Sequence, residues 1–259
     1  MHRFENRNVL VTGGSSGIGR ATVLRFASEG ATVVAASRDV DRLNEVAVHA
    51  PPGSVLPERL DVRDTAAVRD LIGRTVSRLG RLHVLVNCAG VSRFDPVLEL
   101  SEEHWHDTLQ TNLTGAFVAA QEAARHMAAA GGGAIINVAS IDSFIADSPA
   151  THYCVSKAGM VAMTRSFAHE LGHLGVRTNA VAPGLTATPM TMDDTFDRIK
   201  DVYARLIPMR EPSTPEQQAA VICFLASDDA DYINGETVIV DGGLLTGMWY
   251  DPADAPAAQ

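Results

Sequence analysis

The chain of 259 residues is poor in cysteine, short of basic residues and free of long apolar runs. Its three cysteines, Cys88, Cys154 and Cys223, are scattered and odd in number. That excludes a disulfide framework and fits the free thiols of a cytoplasmic protein. No apolar run approaches the roughly 20 residues of a membrane-spanning helix, and the N-terminus lacks a signal-peptide pattern, so no membrane partner is expected. There are 21 Lys and Arg against 31 Asp and Glu, a net charge of −10. An acidic balance argues against general nucleic-acid binding but leaves room for a local basic pocket. Neither an internal repeat nor a linker divides the chain. With 46% hydrophobic residues it can bury a large core, and its length suits one α/β domain or two small ones.

What is present is a regular alternation. Apolar, β-rich runs at Asn8–Val11, Thr32–Ala36, Val55–Leu60, His83–Asn87, Ala134–Ala139, Arg177–Val181 and Thr237–Val240 are separated by helical patterns. Val68, Leu71, Ile72, Val76 and Leu79 show the three-and-four spacing of one buried helix face. Gly30 and Gly80 read as helix C-caps, and Thr214-Pro-Glu-Gln217 as a capping box. Continuous β-α alternation predicts a single α/β domain over residues 1–250: a Rossmann-type, doubly wound parallel sheet of about seven strands. The long interruption near 185–212 is expected to form a substrate loop, and residues 251–259 a flexible tail.

The first strand runs into Thr12-Gly13-Gly14-Ser15-Ser16-Gly17-Ile18-Gly19 and then a helical pattern. Glycines between a strand and a helix let backbone N–H groups and the helix N-terminus meet a phosphate. The P-loop is excluded, because Arg20 and Ala21 stand where its Lys and hydroxyl residue belong. GxGxxG also fails, since Thr22 stands in place of its third glycine; TGxxxGxG fits. Three further strand ends complete a dinucleotide site in such sheets: Ser37-Arg38, Asp61-Val62 and Asn87-Cys88-Ala89-Gly90. Ser37 and Arg38 stand where an acidic residue would select NAD, which points to NADP(H) with NAD(H) as the alternative. Asp39 reads as an N-cap, although it could serve a ribose. Asp61 would accept from the adenine amino group or start the next helix.

Ser140 closes the fifth strand, and Tyr153 and Lys157 follow four apart on one helix face. A cation beside the phenol should lower its pKa from about 10, so that Tyr153 can exchange a proton with a carbonyl or alcohol oxygen while Ser140 bonds the same oxygen. Cys154, next to Tyr153, points elsewhere on the helix and reads as packing.

From about Arg7 to Leu244 the chain resembles the short-chain dehydrogenase/reductase family in its compact subgroup. The resemblance rests on Thr12–Gly19, Asp61-Val62, Asn87–Gly90, Asn112, Ser140, Tyr153, Lys157, Pro183-Gly184 and Asp241-Gly-Gly243. It implies an oxidoreductase for a small carbonyl or alcohol substrate, with a catalytically silent dinucleotide-binding protein on the same fold as the alternative. It also implies a relay water held by Asn112, a nicotinamide ribose contact from Lys157, and Asn87 and Gly90 along the cofactor. Pro183 and Gly184 would pass beside the nicotinamide, with Thr188 on its carboxamide. A homotetramer or homodimer would form through Gln110–Ala130 and Tyr153–His173, and Met248-Trp-Tyr250 would touch a neighbouring subunit. Cys88 replaces the second asparagine of the family's Asn-Asn-Ala-Gly, which would remove a structural hydrogen bond. Read without the resemblance, Asn112 is a helix N-cap.

His169-Glu-Leu-Gly-His173 matches the zinc-protease pattern HExxH. On a helix running from Tyr153 to His173, His169 would lie ~24 Å along the axis from Tyr153, with the histidines on nearly the opposite side. A zinc hydrolase is therefore set aside and no metal is expected; His104 and His106 are no better placed as ligands. The substrate space is expected to draw on Ser92, Arg93, Phe94, Asp142 and Phe144. The loop adds Met190, Met192, Phe196, Ile199, Tyr203, Leu206 and Met209.

Overall fold

A computed structural model describes residues 2–191, 202–203 and 205–247. Seven strands form one parallel sheet in the order β3-β2-β1-β4-β5-β6-β7. They are β1 (Asn8–Thr12), β2 (Thr32–Ser37), β3 (Val55–Arg59), β4 (Val84–Asn87), β5 (Gly133–Val138), β6 (Val176–Pro183) and β7 (Thr237–Val240). The expected runs and the observed strands agree to within one or two residues. Strands covered on both faces must be apolar on both, which is why they appear as unbroken apolar runs.

The helices that flank the sheet are α1 (Gly17–Ser28), α2 (Val40–Val48), α3 (Thr65–Leu79), α4 (Glu102–Leu109), α5 (Gly115–Ala129), α6 (Thr151–Leu171) and α7 (Pro215–Ala226). Alternate residues of β1 face opposite layers. Val9 and Val11 pack with Phe26 of α1, Leu43 of α2 and Ile222 of α7, whereas Leu10 packs with Leu71 of α3 and Ala120 of α5. The capping box on α7 forms, Gly80 ends α3 at φ 80°, and Gly30 follows α1 at φ 97°. Strand order reverses at β1, between β2 and β4. Loops after those strands diverge there and leave a crevice at the C-terminal edge of the sheet.

Three expectations about helix ends need correction. Asp61 does not start α3; Asp64 does, accepting the Ala67 N–H at 3.0 Å. Asn112 is not an N-cap. It lies within a π-helical turn, Gln110–Thr114, that joins α4 directly to α5. The expected helix through His173 also stops earlier, at Leu171, and His173 falls in a 3-10 turn.

At the opposite edge, His83 Nδ1 accepts the N–H of Asn8 at 2.9 Å and joins the start of β1 to the approach of β4. Burial, with Arg81 and Arg7 nearby, lowers its pKa from 6.5 to about 4. As pH falls from 6.5 to 4 the unfolded chain takes up a proton that the folded one refuses. This group therefore costs stability across that window, and no more below it. Melting followed by circular dichroism should show a decline between those values that is smaller in His83→Asn; an equal decline in both would clear His83 of responsibility.

Candidate functional site

The crevice holds a cavity of about 430 Å³ lined from every expected strand end. Gly13, Ser15, Ser16, Gly17, Ile18 and Gly19 form one wall, Ser37, Arg38, Asp61 and Val62 one end, and Ala89 and Gly90 the floor. Ser140, Tyr153, Lys157, Pro183, Gly184 and Thr188 close the other end. Three expected residues lie behind this lining. The Thr12 hydroxyl accepts from the N–H groups of Cys88 (3.2 Å) and Ala89 (3.3 Å), so it fastens the loop after β4. Asn87 turns into the interior, donating to Asn137 Oδ1 (2.9 Å) and to the carbonyl of Ala116 (3.2 Å). Asn137 in turn donates to Thr164 Oγ1 (2.9 Å), and the chain Asn87–Asn137–Thr164 ties β4, β5 and α6 together under the site. The third is Asn112. Asn137 was legible as a polar residue in an apolar run, placed in register with Asn87.

The glycine turn suits an anion. A Cβ on Gly19 would stand 2.1 Å from the Gly13 carbonyl oxygen, and Gly17 adopts φ 50°. Ser16 occupies the N-cap of α1 with its hydroxyl unbonded to the helix, and the first turn carries no acidic residue. The leading N–H groups of α1 thus face the cavity without a side-chain cap, as phosphate binding at a helix N-terminus requires. At the far end, Asp39 is committed: it accepts the Arg42 N–H at 3.0 Å and pairs with the Arg42 guanidinium at 3.3 Å. Ser37 Oγ bonds the backbone of Asp39. Arg38 is exposed at the rim and has no hydrogen-bond or ion-pair partner among the described residues. Asp61 takes hydrogen bonds from Arg63, the shortest 2.6 Å, and that guanidinium holds its carboxyl below the usual range against the effect of burial. These features together fit an adenine dinucleotide.

At the other end, Lys157 is buried, and its Nζ donates to the Val138 carbonyl at 2.8 Å and lies 5.6 Å from the Tyr153 ring centroid. Burial lowers its pKa to about 8. Tyr153 corrects an expectation. Its pKa stands above the ordinary value of 10, because burial and then the Asp142 carboxylate disfavour the phenolate, and contact with the Ser140 hydroxyl offsets only part of this. The ammonium points at a backbone carbonyl, so the protein alone keeps Tyr153 a phenol. Asn112 is fully buried. Its Oδ1 accepts the Val91 N–H at 2.8 Å, and its Nδ2 donates to the Val91 carbonyl (2.9 Å) and Ser156 Oγ (3.0 Å). A Cβ on Gly90 would sit 3.5 Å from Asn112 Oδ1 and 3.7 Å from Lys157 Nζ, so that glycine keeps a space between the two.

Other candidates separate from the cavity. Arg93 pairs with Asp107 (2.9 Å), which also binds Arg63, so it turns away from the substrate space. Phe94 and Phe144 are largely exposed, and Met190 lines the cavity. Thr186 and Thr191, not singled out in the sequence, line it as well, and Thr191 Oγ1 accepts the N–H of Thr188 at 3.1 Å. Tyr203 lies near enough to Asp147 and Asp142 for both carboxylates to add to the upward push of burial on its phenol. Leu206 and Met209 are exposed, whereas Met192, Phe196, Ile199, Met248-Trp-Tyr250 and the tail from 251 lie outside the described residues. Cys154 Sγ accepts the Asp147 N–H at 3.3 Å, and burial pushes the Cys88 thiol up to about 11. His169, Glu170 and His173 are exposed, and among the described residues no group of three His, Cys, Asp or Glu is placed to hold a metal.

Residues 13–245 match the family model described as "Enoyl-(Acyl carrier protein) reductase". The chain is 38% identical over 245 residues to the 3-oxoacyl-[acyl-carrier-protein] reductase FabG of Thermotoga maritima, covering 94% of this chain and 99% of that protein. It is 40% identical over 256 residues to the (3R)-3-hydroxyacyl-CoA dehydrogenase of Mus musculus, covering 94% and 98% respectively. Its fold superposes on the crystal structure of a short-chain type dehydrogenase/reductase from Mycobacterium marinum with a TM-score of 0.88 and 32% identity, covering 95% of this chain and 98% of that one.

Proposed function

The chain belongs to the short-chain dehydrogenase/reductase family of oxidoreductases, and from that premise we propose that it uses NADP(H) to interconvert a carbonyl and a secondary alcohol. The observation that carries this reading is the meeting of Ser140, Tyr153 and Lys157 in one cavity with the glycine turn. The bound cofactor supplies or accepts hydride; the remaining work falls to side chains. Gly13, Ser15, Ser16, Gly17, Ile18 and Gly19 hold the pyrophosphate, with Thr12 and Asn87 fixing the loops from behind. Asp61 and Val62 flank the adenine, Ala89 and Gly90 the connecting riboses. Lys157 holds the nicotinamide ribose, and Pro183, Gly184 and Thr188 hold the nicotinamide.

In reduction Tyr153 donates its phenolic proton to the carbonyl oxygen; in oxidation it recovers a proton from the alcohol. A phenol with a raised pKa is protonated at neutral pH and ready to donate. Lys157 stabilises the charge left on Tyr153, and Asn112 holds the water through which the proton is replaced. Of the expected substrate loop, Thr186, Thr188, Met190 and Thr191 line the cavity. We further place the protein in the cytoplasm as a homotetramer built through α5 and α6, which expose Phe117 and Val155.

The cofactor choice rests on Arg38. Asp39 is already occupied by α2, which leaves the NAD reading without a ribose acceptor, while Arg38 is available to a phosphate. A charge-assisted hydrogen bond is worth about 1.5–3 kcal/mol, or roughly ten- to a hundredfold in binding. NADPH should therefore outperform NADH in the wild type. Arg38→Ala should raise KM for NADPH by that factor and leave KM for NADH unchanged. The test is loss of nicotinamide absorbance against a panel of acyl thioesters, acetoin, cyclohexanone and steroid ketones. Thioesters lead it because the two relatives are named for acyl substrates. Turnover of no carbonyl by either cofactor would overturn the function; equal or better use of NADH would overturn the Arg38 argument.

A further inference from the structure

One carboxylate beside Ser140 has no part in the reaction above. Asp142 lies two residues beyond Ser140 in the short 3-10 turn Ile141–Ser143. Ser140 Oγ donates to Asp142 Oδ2 at 3.0 Å and accepts the Asp142 N–H at 3.2 Å. A hydroxyl has one proton and two lone pairs. With Asp142 ionised, the proton and one lone pair are both spent, and Ser140 offers the cavity only its second lone pair.

We propose that Asp142 is a positioning residue that fixes the direction of Ser140's hydrogen bond and thereby lets the site distinguish an alcohol oxygen from a carbonyl oxygen. The inference rests on the proposed carbonyl/alcohol reaction. On binding, before Tyr153 releases its proton through the relay and can take the alcohol's, an alcohol oxygen accepts from the Tyr153 phenol and gives its own proton to Ser140, so both bonds form. A carbonyl oxygen has lone pairs only. It accepts from Tyr153 but meets a lone pair at Ser140, unless Asp142 surrenders the serine proton or carries a proton itself. Carbonyl binding is therefore coupled to proton uptake at Asp142, and alcohol binding is not. The charged and titratable groups around Asp142 are Asp147, which disfavours its ionisation, Lys157 on α6, which favours it, and the phenols of Tyr153 and Tyr203 and the Cys154 thiol, which its charge pushes up. Burial is the largest influence and holds the Asp142 carboxyl above the usual range.

The experiment measures KM and kcat separately from pH 5 to 9 for the wild type, Asp142→Ala and Asp142→Asn. The probes are cyclohexanone with NADPH and cyclohexanol with NADP+; if the panel favours thioesters, acetoacetyl-CoA and (3R)-3-hydroxybutyryl-CoA replace them. In the wild type, KM for the ketone should rise with pH through the titration of Asp142 while KM for the alcohol does not. At pH 8, Asp142→Ala frees the serine proton, so KM for the ketone should fall about tenfold, the worth of one hydrogen bond, while KM for the alcohol, whose proton still meets a lone pair on Ser140, should hardly change. The overall equilibrium is fixed, so kcat must shift to compensate, and the ratio of kcat/KM between directions stays put. Asp142→Asn, nearly isosteric, should lie between and covers the case in which the alanine variant fails to fold. General damage would raise both KM values together. That result, or survival of the wild-type pH slope in both variants, overturns the inference and leaves the function standing. A wild type that turns over no member of the panel overturns the function, and the inference with it.

Discussion

Tyr153→Phe should lower kcat by roughly 10²–10⁴-fold, the usual contribution of a positioned general acid. KM for the cofactor and the melting temperature should hardly change. The substitution removes one oxygen and leaves the ring that lines the cavity. The phenol is raised rather than lowered in this structure, which sharpens the expectation. Its stored proton is available across the neutral range, so reduction should persist without a steep loss up to the pH at which Lys157 begins to discharge, near its value of about 8. Above that point Lys157 no longer balances charge left on Tyr153, and kcat for reduction should decline. Stopped-flow and steady-state rates from pH 6 to 10 would read both effects. A phenylalanine variant with more than a tenth of wild-type kcat would remove Tyr153 from the chemistry.

Gly19→Ala should be the most disruptive single-atom change to the cofactor end. The added methyl would stand 2.1 Å from the Gly13 carbonyl oxygen, a backbone atom that cannot swing aside. Either the turn opens or α1 shifts, and each displaces the N–H groups that face the cavity. A forced overpacking of this kind costs on the order of 1–3 kcal/mol or more. The expected result is a melting temperature several degrees lower and a cofactor Kd raised at least a hundredfold, read by quenching of NADPH fluorescence. Gly73→Ala is the matching control: it lies in α3 with nothing within 4 Å of the new methyl, and it should bind cofactor as the wild type does. Unchanged binding in Gly19→Ala would show that the turn is not the phosphate site.

The strands were legible because burial on both faces writes itself as a continuous apolar run, and the site could be located because each expected motif stood at the end of such a run. Where a side chain points was less legible. Thr12 and Asn87 occupy the right strand ends, yet both face inward and brace the loops that carry Cys88, Ala89 and the α5 start. A one-residue change of phase reverses the direction of a strand side chain, and the terminal residue of a strand has no following partner to settle the phase. Arg93 was misplaced for a different reason. Its partner Asp107 also binds Arg63, 44 residues earlier, and a cluster assembled across such distances has no local pattern. Asp142 was expected in the substrate space on position alone. That it holds the serine proton depends on the turn geometry, which residue order does not reveal.

The π turn at Gln110–Thr114 carries a consequence for length variation in this chain. A wider coil accommodates one residue more than an α-helix allows over the same rise. Deleting Thr111 would let α4 and α5 merge into a single uninterrupted α-helix with the residues on either side near their present rotation, so the change would fall on the joint itself. Asn112 would then swing its amide away from the Val91 backbone and Ser156 without any change in the identity of a single contacting group. Chain length at this joint, as much as residue type, keeps that amide beside the lysine.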